Sequence, residues 1–559
     1  MNLDNTLLRV KNLSLGLNNP KNEKLLIDNV SFDIKKNEIV SIIGESGSGK
    51  TLTAMSILGL LDKALFNISG QIIFNKINLL SVNEAKIQKI RSHYISIVFQ
   101  NPMSSLNPTM KLGKQIYEVF HSHIDLNYNS VNKRIKELIK KVKLDGVKNL
   151  FEKYPHEISG GQMQRFMLVM ALASSPKLLI ADEPTTALDV TVQKEIIEIL
   201  KSLQKTENLS ILLISHNIGL VKNISNKIIV MKEGKLIENN RTQLILKSPK
   251  KKYTKGLLSI NINNKKRVKK LNTLQNFEKE IQNNNISKRT RNNRLKLLYE
   301  KEPLMIVRNV SKYYSRFVNF RKKVNFKALK NINIKLYEGE TLGIIGESGS
   351  GKTTLSEVIM KIKKYEFGNI FYKNKNINKF NKTEMLNYRK EVQIVFQDPY
   401  SSLNPLFNVK EIIAEPIKCH NIFEKKSEID KKCKELINDV KIGQSYLNKY
   451  PHELSGGQRQ RVAIARAISI NPKILILDES VSALDVSIQA SILNLLTEIK
   501  EKYNLSYIFI SHDLSVVKHM SDKIAVFLNG KIVEYADADL LFKDPKKEYT
   551  KALLRSAIN

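Results

Sequence analysis

Cysteine is nearly absent from this 559-residue chain, which contains only Cys419 and Cys433. Two thiols make no disulfide framework and lack the spacing of a metal-binding cluster, so we expect a reducing compartment. Long apolar runs are missing too, since no stretch approaches the ~18 residues that a membrane-spanning helix needs. Asp4 precedes any Lys or Arg, and no apolar segment follows it, which argues against a secretory signal. The sequence therefore predicts a cytoplasmic protein that meets a membrane only through a partner.

Acidic residues are also scarce, with 54 Asp and Glu against 91 Lys and Arg, a net charge of +37. Such a charge can attract nucleic acid or an anionic membrane surface. The excess, however, is mostly lysine spread evenly along the chain, beside abundant Asn and Ile, as an AT-biased codon supply would produce. We favour this compositional explanation and expect no nucleic-acid partner.

An internal repeat organises the chain, which is long enough for two to four domains. The segment 44–51 recurs as 346–353, an offset of 302. Three further pairs share an offset of 296: Ser159–Gln162 with Ser455–Gln458, Asp182–Glu183 with Asp478–Glu479, and Ser215–His216 with Ser511–His512. We predict a first domain over 1–258, a linker over 259–303 and a second domain over 304–559.

The predicted linker is rich in Asn, Lys and Arg and has no sustained apolar period. This composition predicts a flexible or weakly helical segment. A flexible coil of about 45 residues spans roughly 35 to 40 Å, enough to let two domains face each other without fixing their orientation.

Each repeat opens with a predicted strand, over 38–43 or 341–345, that leads into a glycine-rich loop and then a helix. This context is typical of a phosphate-binding loop, in which backbone N–H groups and the helix N-terminus face the phosphates. In such loops the lysine reaches the β- and γ-phosphates and the following threonine binds Mg²⁺. The predicted ATP-binding residues here are Gly44, Ser46, Gly47, Gly49, Lys50 and Thr51, with Gly346, Ser348, Gly349, Gly351, Lys352 and Thr353.

Two apolar runs, 178–181 and 474–477, each end in an Asp-Glu pair. Runs of this kind are buried on both faces of a parallel sheet, and the pair at the carboxyl end lies beside the phosphate loop. We predict that Asp182 and Asp478 hold Mg²⁺ through water. Glu183 and Glu479 are the predicted catalytic bases, because a carboxylate near the attacking water can polarise it.

Ser159-Gly-Gly-Gln162 and Ser455-Gly-Gly-Gln458, each 23 positions before the acidic pair, resemble the signature of ATP-binding cassette (ABC) proteins. The resemblance covers nearly the whole chain outside the linker. It implies an α/β fold of two tandem phosphate-loop NTPase domains, each a mixed sheet with an inserted helical subdomain, near 101–157 and 398–453. It also implies that the signature of one cassette closes over the γ-phosphate held by the other, pairing Lys50 with Ser455 and Lys352 with Ser159.

The same resemblance assigns further roles by position. The signature helices are predicted over 163–173 and 459–467, with an anion favoured at their N-termini. Asp189 and Asp485, in Ala187-Leu-Asp189 and Ala483-Leu-Asp485, match the family's D-loop. His216 and His512, each 34 positions after the metal-binding aspartate, match its switch histidine. The complete signature set is Ser159, Gly160, Gly161, Gln162, Ser455, Gly456, Gly457 and Gln458.

Gln100 and Gln397, each in a Phe-Gln-Asx-Pro context, resemble the Q-loop of importers for oligopeptides, dipeptides and nickel. In that class the glutamine senses Mg²⁺ and the γ-phosphate. The arrangement is similar to the fused double ATPases of microcin C and oligopeptide importers. It implies an ATPase on the cytoplasmic face of the inner membrane, with two permease subunits and an extracytoplasmic peptide-binding protein as partners.

The two copies differ at the position where the family stacks an aromatic ring on adenine, which is Leu17 in the first and Tyr314 in the second. We therefore expect weaker base stacking in the first site, with both sites still hydrolytic. One alternative function remains open: a tandem cassette acting on ribosomes, for which the basic charge would suit RNA contact. The importer-type Q-loops and the long helical subdomains favour transport.

Overall fold

The computed structural model of the chain describes residues 5–18, 25–123, 127–186, 188–260, 267–274, 276–277, 285–319, 322–481 and 484–558. It divides into two compact units, residues 1–259 and 260–559. The residues predicted as a linker thus belong, from Ile260 onward, to the second unit.

The first unit contains ten strands and ten α-helices in its described residues. The strands are β1 (Thr6–Leu17), β2 (Leu25–Lys35), β3 (Ile39–Ile43), β4 (Phe66–Phe74), β5 (Ile77–Asn78), β6 (Ile95–Val98), β7 (Leu178–Asp182), β8 (Ser210–Ile214), β9 (Lys227–Lys232) and β10 (Lys235–Arg241). The helices are α1 (Lys50–Leu58), α2 (Glu84–His93), α3 (Pro102–Ser105), α4 (Leu112–His123), α5 (Tyr128–Lys141), α6 (Gly160–Leu172), α7 (Val190–Thr206), α8 (Ile218–Ile224), α9 (Thr242–Lys247) and α10 (Lys252–Ser259).

The second unit repeats this order after one additional helix, α11 (Lys288–Tyr299). Its strands are β11 (Met305–Asn319), β12 (Lys322–Leu336), β13 (Thr341–Gly346), β14 (Phe367–Tyr372), β15 (Lys375–Asn376), β16 (Val392–Val395), β17 (Ile474–Asp478), β18 (Ser506–Ile510), β19 (Lys523–Leu528) and β20 (Lys531–Asp537). Its other helices are α12 (Lys352–Ile359), α13 (Lys382–Glu391), α14 (Pro399–Ser402), α15 (Val409–Cys419), α16 (Lys426–Asp439), α17 (Gly456–Ile468), α18 (Val486–Tyr503), α19 (Leu514–Met520), α20 (Ala538–Lys543) and α21 (Glu548–Ile558).

Each unit has a six-stranded mixed sheet and a four-stranded antiparallel sheet. The large sheet of the first unit has the order β10-β9-β3-β8-β7-β6, and that of the second has the matching order β20-β19-β13-β18-β17-β16. All neighbours are parallel except the edge pairs β9–β10 and β19–β20. The predicted α/β class with a mixed sheet is therefore confirmed in both copies.

Alternation along β17 shows why its sequence is apolar throughout. Ile474 and Ile476 pack on the side of the antiparallel sheet, in a cluster with α12. Leu475 and Leu477 pack on the opposite side, with the helices α15 to α18. Because both faces are covered, the strand has no polar position until Asp478, which ends it.

The predicted helical subdomains are inserted after β6 and β16. In the first unit they comprise α3, α4, α5 and two 3-10 helices, Leu150–Glu152 and Pro155–Glu157. A Tyr-Pro-His-Glu segment ends both subdomains, and in each the glutamate closes a capping box on the tyrosine.

Two expectations drawn from absent residues concern the thiols and the membrane. Cys419 is exposed and Cys433 is buried, and neither is in a disulfide. Burial raises the pKa of Cys433 to about 11, so this thiol is unreactive at neutral pH. Among the described residues, no helix combines the length and the hydrophobicity required to cross a bilayer.

Candidate functional site

The glycine loop lies where the sequence predicts it, between β3 and α1 and again between β13 and α12. Lys50 is buried, and its Nζ donates to the carbonyl oxygens of Gly44 (2.9 Å) and Glu45 (2.8 Å). Lys352 makes the same pair of bonds, to Gly346 (2.8 Å) and Glu347 (2.9 Å). Each ammonium group is thus held at the centre of its loop, where a phosphate chain would meet it.

Two glycines of each loop are required by backbone geometry. Gly49 and Gly351 precede the helices with φ of 97° and 109°, a left-handed conformation that favours glycine. A Cβ on Gly44 would lie 2.2 Å from the carbonyl oxygen of Met231. The remaining predicted loop residues, Ser46, Gly47, Ser348 and Gly349, lie at the exposed tips, and Thr51 and Thr353 lie in the first helical turns.

A tyrosine with no role predicted from the sequence accepts a hydrogen bond from the backbone of each loop. The N–H of Glu45 donates to Tyr253 Oη at 3.3 Å, and the N–H of Glu347 donates to Tyr549 Oη at the same distance. Both tyrosines belong to the C-terminal helices of their units, α10 and α21. The sequence Tyr-Thr-Lys recurs near the end of both units and could have marked these tyrosines as important. That each tyrosine contacts the glycine loop could be learned only from the structure.

We predict that Tyr253→Phe together with Tyr549→Phe weakens nucleotide binding moderately. Each change removes one hydroxyl acceptor and keeps the ring, so the KM for ATP should rise about two- to tenfold with little change in kcat. Steady-state ATPase assays check this, with Tyr94→Phe, an exposed ring in the first unit, as the control. An unchanged KM would show that the hydroxyl does not hold the loop.

Asp182 and Asp478, the predicted Mg²⁺ ligands, are buried at the carboxyl ends of β7 and β17. Ser356 Oγ donates to Asp478 Oδ2 at 3.2 Å, and the hydroxyls of Thr51 and Thr353 act to lower the pKa of Asp182 and of Asp478. One oxygen of each carboxylate, Oδ1, has no hydrogen-bond partner among the described residues. A buried unpaired carboxylate oxygen beside a threonine hydroxyl is an oxygen donor set that suits Mg²⁺.

We predict that Asp182→Asn combined with Asp478→Asn raises the melting temperature of the nucleotide-free protein. Burial raises the pKa of both carboxyls to about 6 from 3.8, which corresponds to on the order of 3 kcal/mol per group. Because the folded-state pKa lies above the unfolded one, the penalty is complete above pH ~6 and is relieved as the pH falls toward ~4.

Thermal melts in EDTA should therefore show the largest advantage of this double variant near pH ~7.5 and a smaller one near pH ~5. Asp145→Asn, which changes an exposed carboxylate, is the control and should show no such trend. A pH-independent advantage would mean that the buried charge does not destabilise the fold.

Glu183 and Glu479 occupy left-handed backbone conformations, with φ of 48° and 47°. This region is uncommon for a residue with a side chain, and such strain concentrates at functional sites. Gln100 Nε2 donates to Glu183 Oε2 and Gln397 Nε2 to Glu479 Oε2, both at 2.9 Å. The structure thus brings each Q-loop glutamine to the predicted catalytic carboxylate of its own half.

His216 and His512, the predicted switch histidines, complete these clusters. His216 Nδ1 lies 3.2 Å from Glu183 Oε1, and His512 Nδ1 lies 3.7 Å from Glu479 Oε2. Burial acts to raise the pKa of Glu183, but His216, Thr186 and Lys50 outweigh it and lower that pKa overall. The pKa of Glu479 is lowered in the same way against burial, by His512 and Lys352. Both glutamates are therefore ionised at neutral pH, as polarising a water molecule requires.

The signature turns are the N-termini of α6 and α17. Ser159 and Gln162 form a capping box, as do Ser455 and Gln458, so each helix begins at the first glycine, three residues before the predicted start. The second glycine of each turn packs tightly: a Cβ on Gly161 would lie 2.6 Å from Val192, and one on Gly457 would lie 2.7 Å from Ile488. A Cβ on Gly456 would meet nothing within 4 Å, and one on Gly160 only Leu188 Cδ2 at 3.6 Å.

The other predicted residues are placed as follows. Asp189 and Asp485 are the N-cap residues of α7 and α18, and Ala187 and Ala483 lie outside the described residues. Tyr314 lies on β11, where its Oη approaches Glu357 of α12 at 3.4 Å. Leu17 is paired with Phe66 of β4, and Tyr314 is paired with Phe326 of β12. Leu17 is 41% exposed.

Comparisons with known proteins agree with this geometry. The family model for ABC transporters matches residues 27–186 and 329–482, more than half of the chain. A model of the C-terminal region of oligopeptide/dipeptide transporters matches residues 533–559. The peptidoglycan transport ATP-binding protein YejF of Agrobacterium fabrum is 38% identical over 99% of this chain and 96% of its own length. The glutathione import ATP-binding protein GsiA of Escherichia coli is 34% identical over 98% and 89%.

These relatives are transport proteins, and they do not support the alternative of a cassette acting on ribosomes. The similarity to these relatives extends through both halves of the chain. Each half has a glycine loop with a buried lysine, a buried aspartate and a glutamate–histidine pair. The chain therefore belongs to the ABC transporter family, as one of its ATP-binding and ATP-hydrolysing proteins.

Proposed function

We propose that this chain powers the import of peptides or peptide-like compounds, acting at the cytoplasmic face of the membrane with two permease subunits and an extracytoplasmic binding protein. The similarity of the whole chain to YejF and GsiA carries this proposal, since both are named for transport of peptide-containing molecules. The match of residues 533–559 to the oligopeptide/dipeptide transporter region supports it independently.

In this proposal ATP binds with Mg²⁺ at two sites. Asp182, Thr51 and Gln100 would hold the metal in one half, and Asp478, Thr353 and Gln397 in the other. Bound Mg²⁺ supplies neutralisation of the β- and γ-phosphate charge. Gln100 supports this role because its Nε2 is occupied by Glu183, which leaves the amide oxygen for the metal.

Lys50 and Lys352 pair with the phosphates, and Glu183 and Glu479 orient and polarise the attacking water. His216 and His512 contact the γ-phosphate, and the Ser-Gly-Gly turns at 159–161 and 455–457 supply further N–H donors. Asp189 and Asp485 act beside these turns, and Tyr314 stacks on adenine.

Uptake by the reconstituted complex tests the proposal. Proteoliposomes containing this chain and two permease subunits should accumulate a radiolabelled tripeptide or glutathione when ATP and the binding protein are supplied. The chain carrying both Glu183→Gln and Glu479→Gln is the matched control. Co-sedimentation of the wild-type chain with ribosomes at moderate salt, without membrane association, would refute a transport role.

The expected asymmetry between the sites can be measured separately. Photolabelling with azido-ATP, followed by proteolysis between the units, should label the half containing Tyr314 at lower nucleotide concentration than the half containing Leu17. Leu17→Tyr should reduce the difference, since a stacked ring contributes about 1 kcal/mol. Equal labelling of the two halves would contradict the predicted difference in nucleotide affinity between the two sites.

A further inference from the structure

The segment that precedes the second cassette is bound to that cassette by specific contacts. The backbone N–H of Leu271 donates to Asn494 Oδ1 (2.8 Å), and Asn494 Nδ2 donates back to the carbonyl of Leu271 (2.9 Å). Leu271 and Asn494 are both buried, and Lys270 pairs with Glu498 at 3.0 Å. This part of the linker is therefore anchored along α18.

Three arginines that precede the second cassette bind the C-terminal end of α19, the two residues after it, and the junction of β20 with α20. Arg267 donates to the carbonyls of His519 (3.2 Å) and Ser521 (2.8 Å) and pairs with Asp539 (2.9 Å). Arg291, with a side chain only 7% exposed, donates to the carbonyl of Asp522 (3.0 Å) and pairs with Asp537 (2.8 Å) and Asp539 (3.3 Å). Arg294 pairs with the Asp522 carboxylate.

The first cassette provides an internal comparison, because one of its own side chains satisfies the carbonyl that is equivalent to that of Ser521. There Thr242 Oγ1 donates to the carbonyl of Ser225 at 2.8 Å. The equivalent residue in the second cassette is Ala538, which has no hydroxyl, and the equivalent carbonyl, that of Ser521, receives Arg267 instead. A contact internal to one cassette is thus replaced by a linker contact in the other.

The acidic residues that receive the arginines are likewise confined to the second cassette. The positions of Asp537 and Asp539 are occupied by Arg241 and Gln243 in the first. Asp522 corresponds to Asn226, whose Oδ1 accepts from the N–H of Ile39 (2.9 Å), as Asp522 Oδ2 accepts from Thr341 (3.0 Å). The anchoring surface therefore fits the linker in the second cassette and would repel it in the first.

These contacts lie at one end of a short helix whose other end follows the switch histidine. His512 and Asp513 immediately precede α19, and Asp513 caps it by accepting from the N–H groups of Ser515 and Val516. The seven residues of α19 span about 10 Å. A helix held at its C-terminal end by Arg267 transmits that constraint to the residues at its N-terminal end.

We propose that the linker residues 267–274 and 285–299 position His512, and that Arg267, Arg291 and Arg294 are positioning residues for the second ATP site. The proposal rests on the role assigned above to His512. It gives the linker a function in one site only, since the first cassette orients α8 through its own Thr242.

Hydrogen exchange of the intact chain tests the contact itself. In Arg267→Ala, the amides over 514–522 should exchange about tenfold faster, because two carbonyls lose a charged donor. Adding Ala538→Thr should restore slow exchange by supplying the hydroxyl that Thr242 supplies in the first cassette. Thr242→Ala is the matched control and should accelerate exchange over 218–226 only. Unchanged exchange over 514–522 in Arg267→Ala would overturn the proposal.

Kinetics test whether the contact positions the histidine. Arg267→Ala should lower kcat for ATP hydrolysis several-fold with the KM for ATP unchanged, and Ala538→Thr should recover kcat. Should Arg267→Ala fold poorly, Asp539→Asn is the alternative variant, because it weakens the ion pairs of Arg267 and Arg291 but keeps their hydrogen bonds to carbonyl groups. It should lower kcat less than Arg267→Ala does. Faster hydrogen exchange over 514–522 with an unchanged kcat would show that the linker only stabilises the second cassette. That result would refute the positioning role, whichever substrate is transported.

Discussion

Replacing Lys50 and Lys352 together by alanine should reduce ATP turnover at least about a hundredfold, the usual cost of removing a preorganised donor from a reacting charge. Each ammonium group is buried and fixed by two carbonyls of its loop. Alanine removes both the positive charge and the group that holds the loop closed. Nucleotide binding should weaken as well, which equilibrium titration with a fluorescent ATP analogue would measure.

A matched control for this experiment is Lys35→Ala with Lys335→Ala. Both are exposed lysines near the ends of β2 and β12, so the variant loses the same charge from the same units. Its turnover should equal that of the wild type. Undiminished hydrolysis in the Lys50 and Lys352 double variant would exclude these loops as the ATP sites.

Glu183→Gln together with Glu479→Gln should abolish hydrolysis almost completely while ATP binding persists. A positioned general base contributes about 100- to 10,000-fold, and an amide of the same shape cannot polarise water as a carboxylate does. Gln100 and Thr186 both donate to Glu183 Oε2, so an amide NH₂ placed there would also face two donors. Single-turnover assays with tightly bound ATP separate this loss of chemistry from a loss of binding.

The left-handed backbone at Glu183 allows a sharp control. Glu233 has nearly the same φ, 47°, and its side chain is exposed in a turn. Glu233→Gln therefore changes charge and residue type on an equally strained backbone and should leave turnover unchanged. Full activity of Glu183→Gln and of Glu479→Gln tested singly would contradict catalysis at both sites.

The residues closest to the chemistry were predictable because short-range rules position them. A strand, a glycine loop and a helix must follow one another to present Lys50, and an acidic pair after an apolar strand must lie at the carboxyl edge of the sheet. The sequence also predicted that the Ser-Gly-Gly turns begin helices. It misplaced those starts by three residues, because the capping box formed by Ser159 and Gln162 draws both glycines into the first turn.

Contacts between distant segments could not be predicted in this way. Tyr253 reaches Glu45 across 208 residues, and Arg267 reaches Asp539 across 272. The linker composition, rich in charge and poor in aromatic residues, is typical of a flexible tether, and nothing local distinguishes an arginine facing solvent from one bound to a carboxylate. The replacement of Thr242 by Ala538 was visible in the repeat but had no meaning until the carbonyl it leaves was located.

That replacement makes the two cassettes non-exchangeable as building blocks. A fusion of two copies of the first cassette through the native linker would place Arg291 against the guanidinium group of the residue equivalent to Arg241. The linker would then have no acidic residues to bind. A fusion of two second-type cassettes would leave one copy without the arginines that its carbonyls require. We therefore expect that, when related genes recombine, residues 267–558 are exchanged as one unit and the recombination breakpoints fall before Arg267.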